Sequence, residues 1–301
     1  MTAAIMTLTL SELMFPTSKE GWIAHVKAVS ELLRCSGPGA FVRSPYHKLF
    51  TGFRTLILTE AILSRKRTFL ELHEWQDVPF QQTIASSLQR LLSCAVGLPS
   101  LLQRADGLKR STPDEAVSMA KEIILTLFAT LQRLQEWEQS YQSSLDGPLF
   151  WLKTTGGVSP VGISAKPAYT PVLWFPSVIT GTACVFLWAF KIICLTEMEK
   201  LMSLYKIPWS HTPLDDRLVR QSWDNPLELS VKICQSMAYF LDDTMQFYGP
   251  GAAMFPFRIA RGTLCSYQDQ VADQWELCVH INNRLSQKGF YIEPLHVNVR
   301  V

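Results

Sequence analysis

The stretch NPLELSVKICQSMAYFLDDTMQFYGPGAAMFPFRIARG, residues 225–262, decides how the rest of the chain is read. Asn225 suits a helix N-cap, Pro226 the first helical position, and Glu228 stands where a capping box places an acid. Apolar side chains then recur at three- and four-residue steps: Leu227, Val231, Cys234, Ala238, Leu241, Met245 and Tyr248. That is the stripe of a helix buried along one face. Gly249, Pro250 and Gly251 predict its end, because glycine takes positive φ freely and proline cannot extend a helix. The spacing thus predicts one helix over 226–248 and a short apolar segment, Ala252 to Ala260, that carries Arg258.

Outward from this stretch the same periodicity repeats. Helices are predicted from Ser18 to Arg34, Tyr46 to Arg65, Gln82 to Val96, near Leu101, Thr112 to Tyr141, Pro176 to Tyr205 and Tyr267 to Lys288, with a short leading one over 5–15. Thr112-Pro113-Asp114-Glu115 is a particularly clear start: a cap, a proline, then acids in the first turn. The helix after Pro176 is apolar nearly all round, as a central helix is. Residues 68–79 read as a loop or short turn, 207–224 as a polar loop, and 143–171, rich in Ser, Gly and Pro, is the longest irregular stretch. The tail after Phe290 alternates like a strand but has no obvious partner. The predicted class is all-α, a multi-helix bundle, with residues 1–301 as one helical domain and 143–171 as the candidate internal boundary.

Composition narrows the function classes. An apolar fraction of 48% against 18% charged residues excludes disorder. A net charge of +2, with no basic block longer than Arg65-Lys66-Arg67, gives no footprint for direct nucleic-acid binding. That tripeptide reads as a solvated helix end, with a fragment of a nuclear-import signal as the other reading. The cysteines at 35, 94, 184, 194, 234, 265 and 278 are odd in number, scattered and without C-x-x-C spacing, which predicts buried free thiols in a reducing compartment and no metal. The N-terminus lacks a basic n-region and carries Glu12, unlike a signal peptide. The uncharged run between Lys166 and Lys191 is cut by Pro167, Pro171, Pro176 and Gly181, so a buried helix is expected there and not a membrane span. The expected location is intracellular, in cytoplasm or nucleus, with no cofactor.

Established catalytic motifs are missing. Residues 156–162, GGVSPVG, lack the Gly-Lys-Ser/Thr ending of a phosphate loop and spell no nucleophile elbow, so they read as a connector. His25, His47, His73, His211, His280 and His296 are too dispersed to predict a metal site. Two adjacent acid pairs remain. Asp215-Asp216 follows Pro213 in a polar loop, where turn formation accounts for it. Asp242-Asp243 falls inside the predicted 226–248 helix, beside Leu241 and Met245. Paired carboxylates divide acid and base roles if burial raises one pKa and leaves the other low. Glu228, Lys232, Gln235, Tyr239, Asp242 and Gln246 also trace a polar stripe, which puts Asp242 in solvent and leaves Asp243 as the candidate acid. An acid there must be partly buried to stay protonated near neutral pH. Trp174, Phe175, Phe186, Trp188 and Phe190 crowd the central helix and its start. Aromatics at that spacing are ordinary core, and they also line ligand pockets; Trp151, Trp174, Trp188, Trp209 and Tyr239 are the candidate ligand-binding residues, with Trp151 and Trp209 in loops at a cavity edge.

The run "ICQSMAYFL … M … YGPGAAMFPFRIA", closed by Trp275 and "RLSQKGF", resembles the end of the regulatory domain of fungal zinc-cluster transcription factors. Trp22, His25, "LLRCSGPGAF", "KLFTGFR" and "RKRTFLELHEWQDVPF" follow the order that family shows, so the resemblance covers most of residues 20 to 290. The family's DNA-binding cluster of six closely spaced cysteines is absent. The resemblance implies the helical effector fold and leaves two functions open. One is a stand-alone pathway protein of fungal secondary metabolism that binds a hydrophobic small molecule and cyclises or rearranges it by acid/base catalysis, as an isomerase or cyclase. The other is a regulator of a biosynthetic gene cluster acting through a zinc-cluster partner, as a homo- or heterodimer. Neither touches DNA directly or a membrane. A remnant without function is disfavoured by the intact helix caps.

Overall fold

The computed structural model describes residues 11–12, 21–153, 171–208, 225–267 and 271–290. Of these, 78% are helical and 3% lie in strands, so the chain is all-α. Contacts divide it into two compact units, Met1–Trp137 with Glu197–Asp215, and Glu138–Thr196 with Asp216–Val301. A single domain with a boundary in 143–171 was the expectation from sequence. The division by contacts passes through two long helices, at 137/138 and 196/197, and crosses the chain again at 215/216. These helices span 31 and 27 residues, about 46 and 40 Å at 1.5 Å per residue, too long for one small core to cover.

The first unit contains α1 (Gly21–Ser36), α2 (Tyr46–Ser64), the one-turn α3 (His73–Asp77), α4 (Ser87–Ala95), α5 (Leu98–Gly107) and most of α6 (Pro113–Ser143). The cap at Thr112 forms as the sequence predicts: Glu115 reaches back to accept from the Thr112 amide at 3.2 Å and its hydroxyl at 2.7 Å. Residues 68–79, read as a loop or short turn, form a string of short helical turns pinned by Trp75, which is 2% exposed and packs on Phe41, Phe50 and Phe69. Arg54 is fully buried and ties α2 to α4 by donating to the Gln89 carbonyl and side chain and to Ser93 Oγ. With no carboxylate at this fork, burial lowers its pKa to about 10. At the C-cap of α2, Arg65 turns left-handed and donates to Asp106 at 2.7 Å and to the buried Glu197 at 2.9 Å. The basic tripeptide is thus a helix end, with Arg65 in an ion-pair network and Arg67 in solvent beside Glu71.

The second unit holds the end of α6, β1 (Trp151–Lys153), β2 (Val172–Trp174), most of α7 (Val178–Leu204), α8 (Pro226–Phe240), α9 (Tyr248–Ser266) and α10 (Ala272–Gln287). Ser177 caps α7 by accepting from the Thr180 amide. Every residue from Thr180 to Cys194 is buried, as the uniform apolarity predicts. Among the described residues α7 is the one helix long and apolar enough to cross a membrane, and 83% of its most apolar window is buried inside the protein. Its single buried cation, Lys191, is 2.6 Å from Glu138. Gly181 lets α7 approach Phe175 and Phe240; an added Cβ would sit 3.1 and 3.2 Å from those rings.

The deciding stretch departs from its expected form. Asn225 caps α8 through the Leu227 amide at 2.9 Å, with Pro226 in the first turn, but the helix ends at Phe240 and not at Tyr248. Asp242 turns extended and accepts from the Thr244 amide and hydroxyl, and a 3₁₀ turn covers Asp243–Met245. Short polar side chains that bond their own backbone compete with helix, and Asp242-Asp243-Thr244 does so here. The chain resumes as α9, with Gly249-Pro250-Gly251 opening that helix, a place where proline fits. The buried face of α8 is also rotated from the expected stripe. It runs through Leu229, Ile233, Cys234, Met237, Phe240 and Leu241, while Leu227, Val231 and Ala238 are half-buried.

Gly249 is the hinge point of this hairpin. A Cβ there would overlap the carbonyl oxygen of Phe240 and stand 2.7 Å from Met245 Cβ. One at Gly251 would meet nothing within 4 Å. Gly249→Ala is therefore expected to destabilise the protein by about 2–4 kcal/mol in urea unfolding. Gly251→Ala, by the entropy of the unfolded chain and helix propensity, is expected to be neutral or stabilising by up to about 1 kcal/mol. Equal effects of the two substitutions would contradict the close approach.

Candidate functional site

Three segments of the second unit build the site. The strands β1 and β2 pair antiparallel, Trp151 opposite Trp174 and Lys153 opposite Val172. Side chains alternate across a strand, so Trp151, Lys153, Val172 and Trp174 share one face of the ladder. β2 packs on α8, where the rotation of that helix presents Tyr239. Tyr239 is 4% exposed, although its step in the sequence put it on the polar stripe.

The aromatic rings then interlock. Trp174 meets Tyr239 edge-on at 5.1 Å, and Tyr239 meets Phe175 at 5.2 Å and Phe240 at 5.3 Å. Phe150 joins Phe175 to Trp188, at 6.3 and 5.4 Å. Trp188 is 2% exposed and lies in the core of this cluster. Trp174 is half-buried and Trp151 is 42% exposed, so those two form its outer surface. Lys153 closes the arrangement, its ammonium 3.8 Å above the centre of the Trp174 ring. Burial raises the Tyr239 pKa above the ordinary phenol value, which keeps it protonated. Among the described residues its hydroxyl has no hydrogen-bond partner.

Of the predicted ligand-binding residues, Trp151, Trp174, Trp188 and Tyr239 gather in or beside one cluster; Trp209 lies outside the described residues. Lys153 and Phe150 were missed. The sequence signal is thin: Trp151-Leu152-Lys153 and Val172-Leu173-Trp174 are rich in strand-favouring residues but too short to show a register.

The acid pair does not bear the role expected of it. Asp243 is not partly buried: its side chain is 95% exposed and pairs with Lys288 at 2.7 Å. The hydrogen bond and charge of Lys288 hold its pKa below the usual carboxylate value, so it is ionised at neutral pH and has no proton to give. The helix break at Phe240 is the cause, because it puts Asp243 in a surface turn. Asp242 is a turn cap, lowered in pKa chiefly by the Thr244 hydrogen bonds and further by the charges of Lys153 and Lys288. Neither is a general acid at neutral pH.

Among the described residues no group of three or more His, Cys, Asp or Glu could hold a metal ion. Cys234 and Cys278 meet inside the core; their mutual hydrogen bond and burial push the Cys234 thiol well above its ordinary pKa, which makes it inert. The chain matches no family model, no curated protein and no solved structure.

The Asp243–Lys288 pair gives a pH prediction with a definite sign. A carboxylate depressed in the folded state contributes stability above its unfolded pKa, about 3.9, and loses it as pH falls through the folded value. An exposed pair is screened, so Asp243→Asn should barely shift the thermal midpoint at pH 7, and any shift should shrink as pH falls below the unfolded value and through the folded one. A deficit that grows toward low pH would show a raised, buried carboxylic acid instead.

Proposed function

We propose that the protein binds a hydrophobic small molecule against the Trp151–Trp174–Tyr239 face of its second unit. One observation carries this: a half-buried tryptophan rests edge-on against a buried tyrosine, with an exposed tryptophan directly across the ladder. An aromatic surface of that kind, backed by an aromatic core and flanked by a few polar groups, suits an organic ligand. The polar groups are Lys153, the Tyr239 hydroxyl and the Asp242 carboxylate, whose acidity responds to the charge of Lys153.

The sequence resemblance to the regulatory domain of fungal zinc-cluster transcription factors is what supports reading this binding step as part of a biosynthetic pathway. Of the two functions implied by that resemblance, the stand-alone pathway protein is the one that begins with such a ligand, and it is the one this face favours. An acid step at Asp242 or Asp243 is no part of the proposal, since both carboxylates are ionised.

Binding is measured with N-phenyl-1-naphthylamine, a neutral apolar fluorophore. Saturable binding is expected, with about tenfold weaker affinity in Trp174→Leu, the scale of losing one large aromatic contact. Ile84→Ala, at a position 91% exposed in the first unit, should leave affinity unchanged. No saturable binding, or equal affinity in Trp174→Leu, would contradict the assignment.

A further inference from the structure

Lys153 is the unusual member of this face. Its ammonium stands 3.8 Å from the centre of the Trp174 ring, well within the roughly 6 Å over which a ring quadrupole attracts a cation. Trp151 lies across the ladder on the same face, and Tyr239 supplies a second ring 5.1 Å from Trp174. The carboxylate of Asp242, three residues beyond Tyr239, feels the charge of Lys153. Aromatic faces with one nearby carboxylate are the surroundings in which an organic ammonium is held: the rings take its weakly hydrated alkyl shell and the acid balances its charge. Lys153 is an exposed residue on a three-residue strand and, among the described residues, makes no hydrogen bond or ion pair, so the ring and the charge of Asp242 are what hold it there.

We propose that the ligand of this face is a small organic ammonium, a quaternary ammonium or a protonated tertiary amine with an apolar body, and that Lys153 occupies its place in the free protein. This rests on the apolar-ligand reading above and adds the charge. The tethered lysine competes with the incoming cation, so the free protein binds more weakly than the cage allows. A ligand with a carboxylate would behave oppositely, gaining from Lys153 and repelled by Asp242.

The test displaces N-phenyl-1-naphthylamine with benzyltrimethylammonium and with neopentylbenzene, its uncharged isostere, on the full-length protein and on Lys153→Ala. Lys153→Ala is expected to bind benzyltrimethylammonium about tenfold more tightly than the native protein. Neopentylbenzene should change by less than about twofold, because it gains nothing from a vacated cation position. If both compounds bind equally in Lys153→Ala, the ammonium assignment is overturned while the apolar-ligand reading stands. If neither binds to either protein, both fall. A peptide carrying one trimethylated lysine separates a protein tail from a free small molecule, and tighter binding of that peptide than of benzyltrimethylammonium overturns the small-molecule assignment.

Discussion

The second unit depends on one close approach, the backbone of Gly249 against the carbonyl of Phe240. Only a residue without a Cβ fits there, and the contact folds α9 back onto α8 directly after Leu241. Two consequences follow along the chain. Phe240 and Tyr239 become the last residues of α8 and face inward, onto Phe175 and Trp174. Asp242 and Asp243 are pushed into a surface turn, where a backbone amide and a lysine satisfy them. Aromatic surface is gathered and carboxylate surface is expelled by the same turn.

Much of this was legible before any coordinates. The caps at Asn225 and Thr112 work through side-chain oxygens that sequence reveals directly, and both form. The buried helix α7 declared itself by having no polar face. The break at Phe240 was not legible, because Leu241 and Met245 continue the three-and-four rhythm through it. Leu241 is buried in either arrangement, so apolar spacing cannot tell a continuous helix from a turn between two. Local chemistry could have, since Asp-Asp-Thr followed by Gly-Pro-Gly favours a turn and then a proline in a first helical turn. The division into two units was hidden for a different reason: two of its three crossing points cut uninterrupted helices, where no loop composition marks them, and only the one at 215/216 falls in a stretch read as a loop.

The candidate site shows the same split. Aromatic crowding near Trp174 and Trp188 was readable from composition, and the structure gathers those rings with Tyr239. The position of Lys153 was not, because it follows from strand register, which three-residue strands barely signal. Register places the ammonium diagonal to Trp174 on one face, and a one-residue slip would carry it to the other. The site accordingly sets a ring and a cation in contact, with the Asp242 carboxylate near enough to feel the cation's charge. Proton transfer at the aspartates would need the burial that the turn takes away.

Backbone ¹³Cα chemical shifts across residues 226–266 test the central claim most directly, that α8 ends at Phe240. The account predicts helical shifts from Pro226 to Phe240, loss of helical character from Asp242 to Gln246, and helical shifts again from Tyr248 through Gly249-Pro250-Gly251 to Ser266. Uninterrupted helical shifts through Tyr248 with a break at Gly249–Gly251 would contradict it, returning Asp243 to a helix and Tyr239 to the polar stripe.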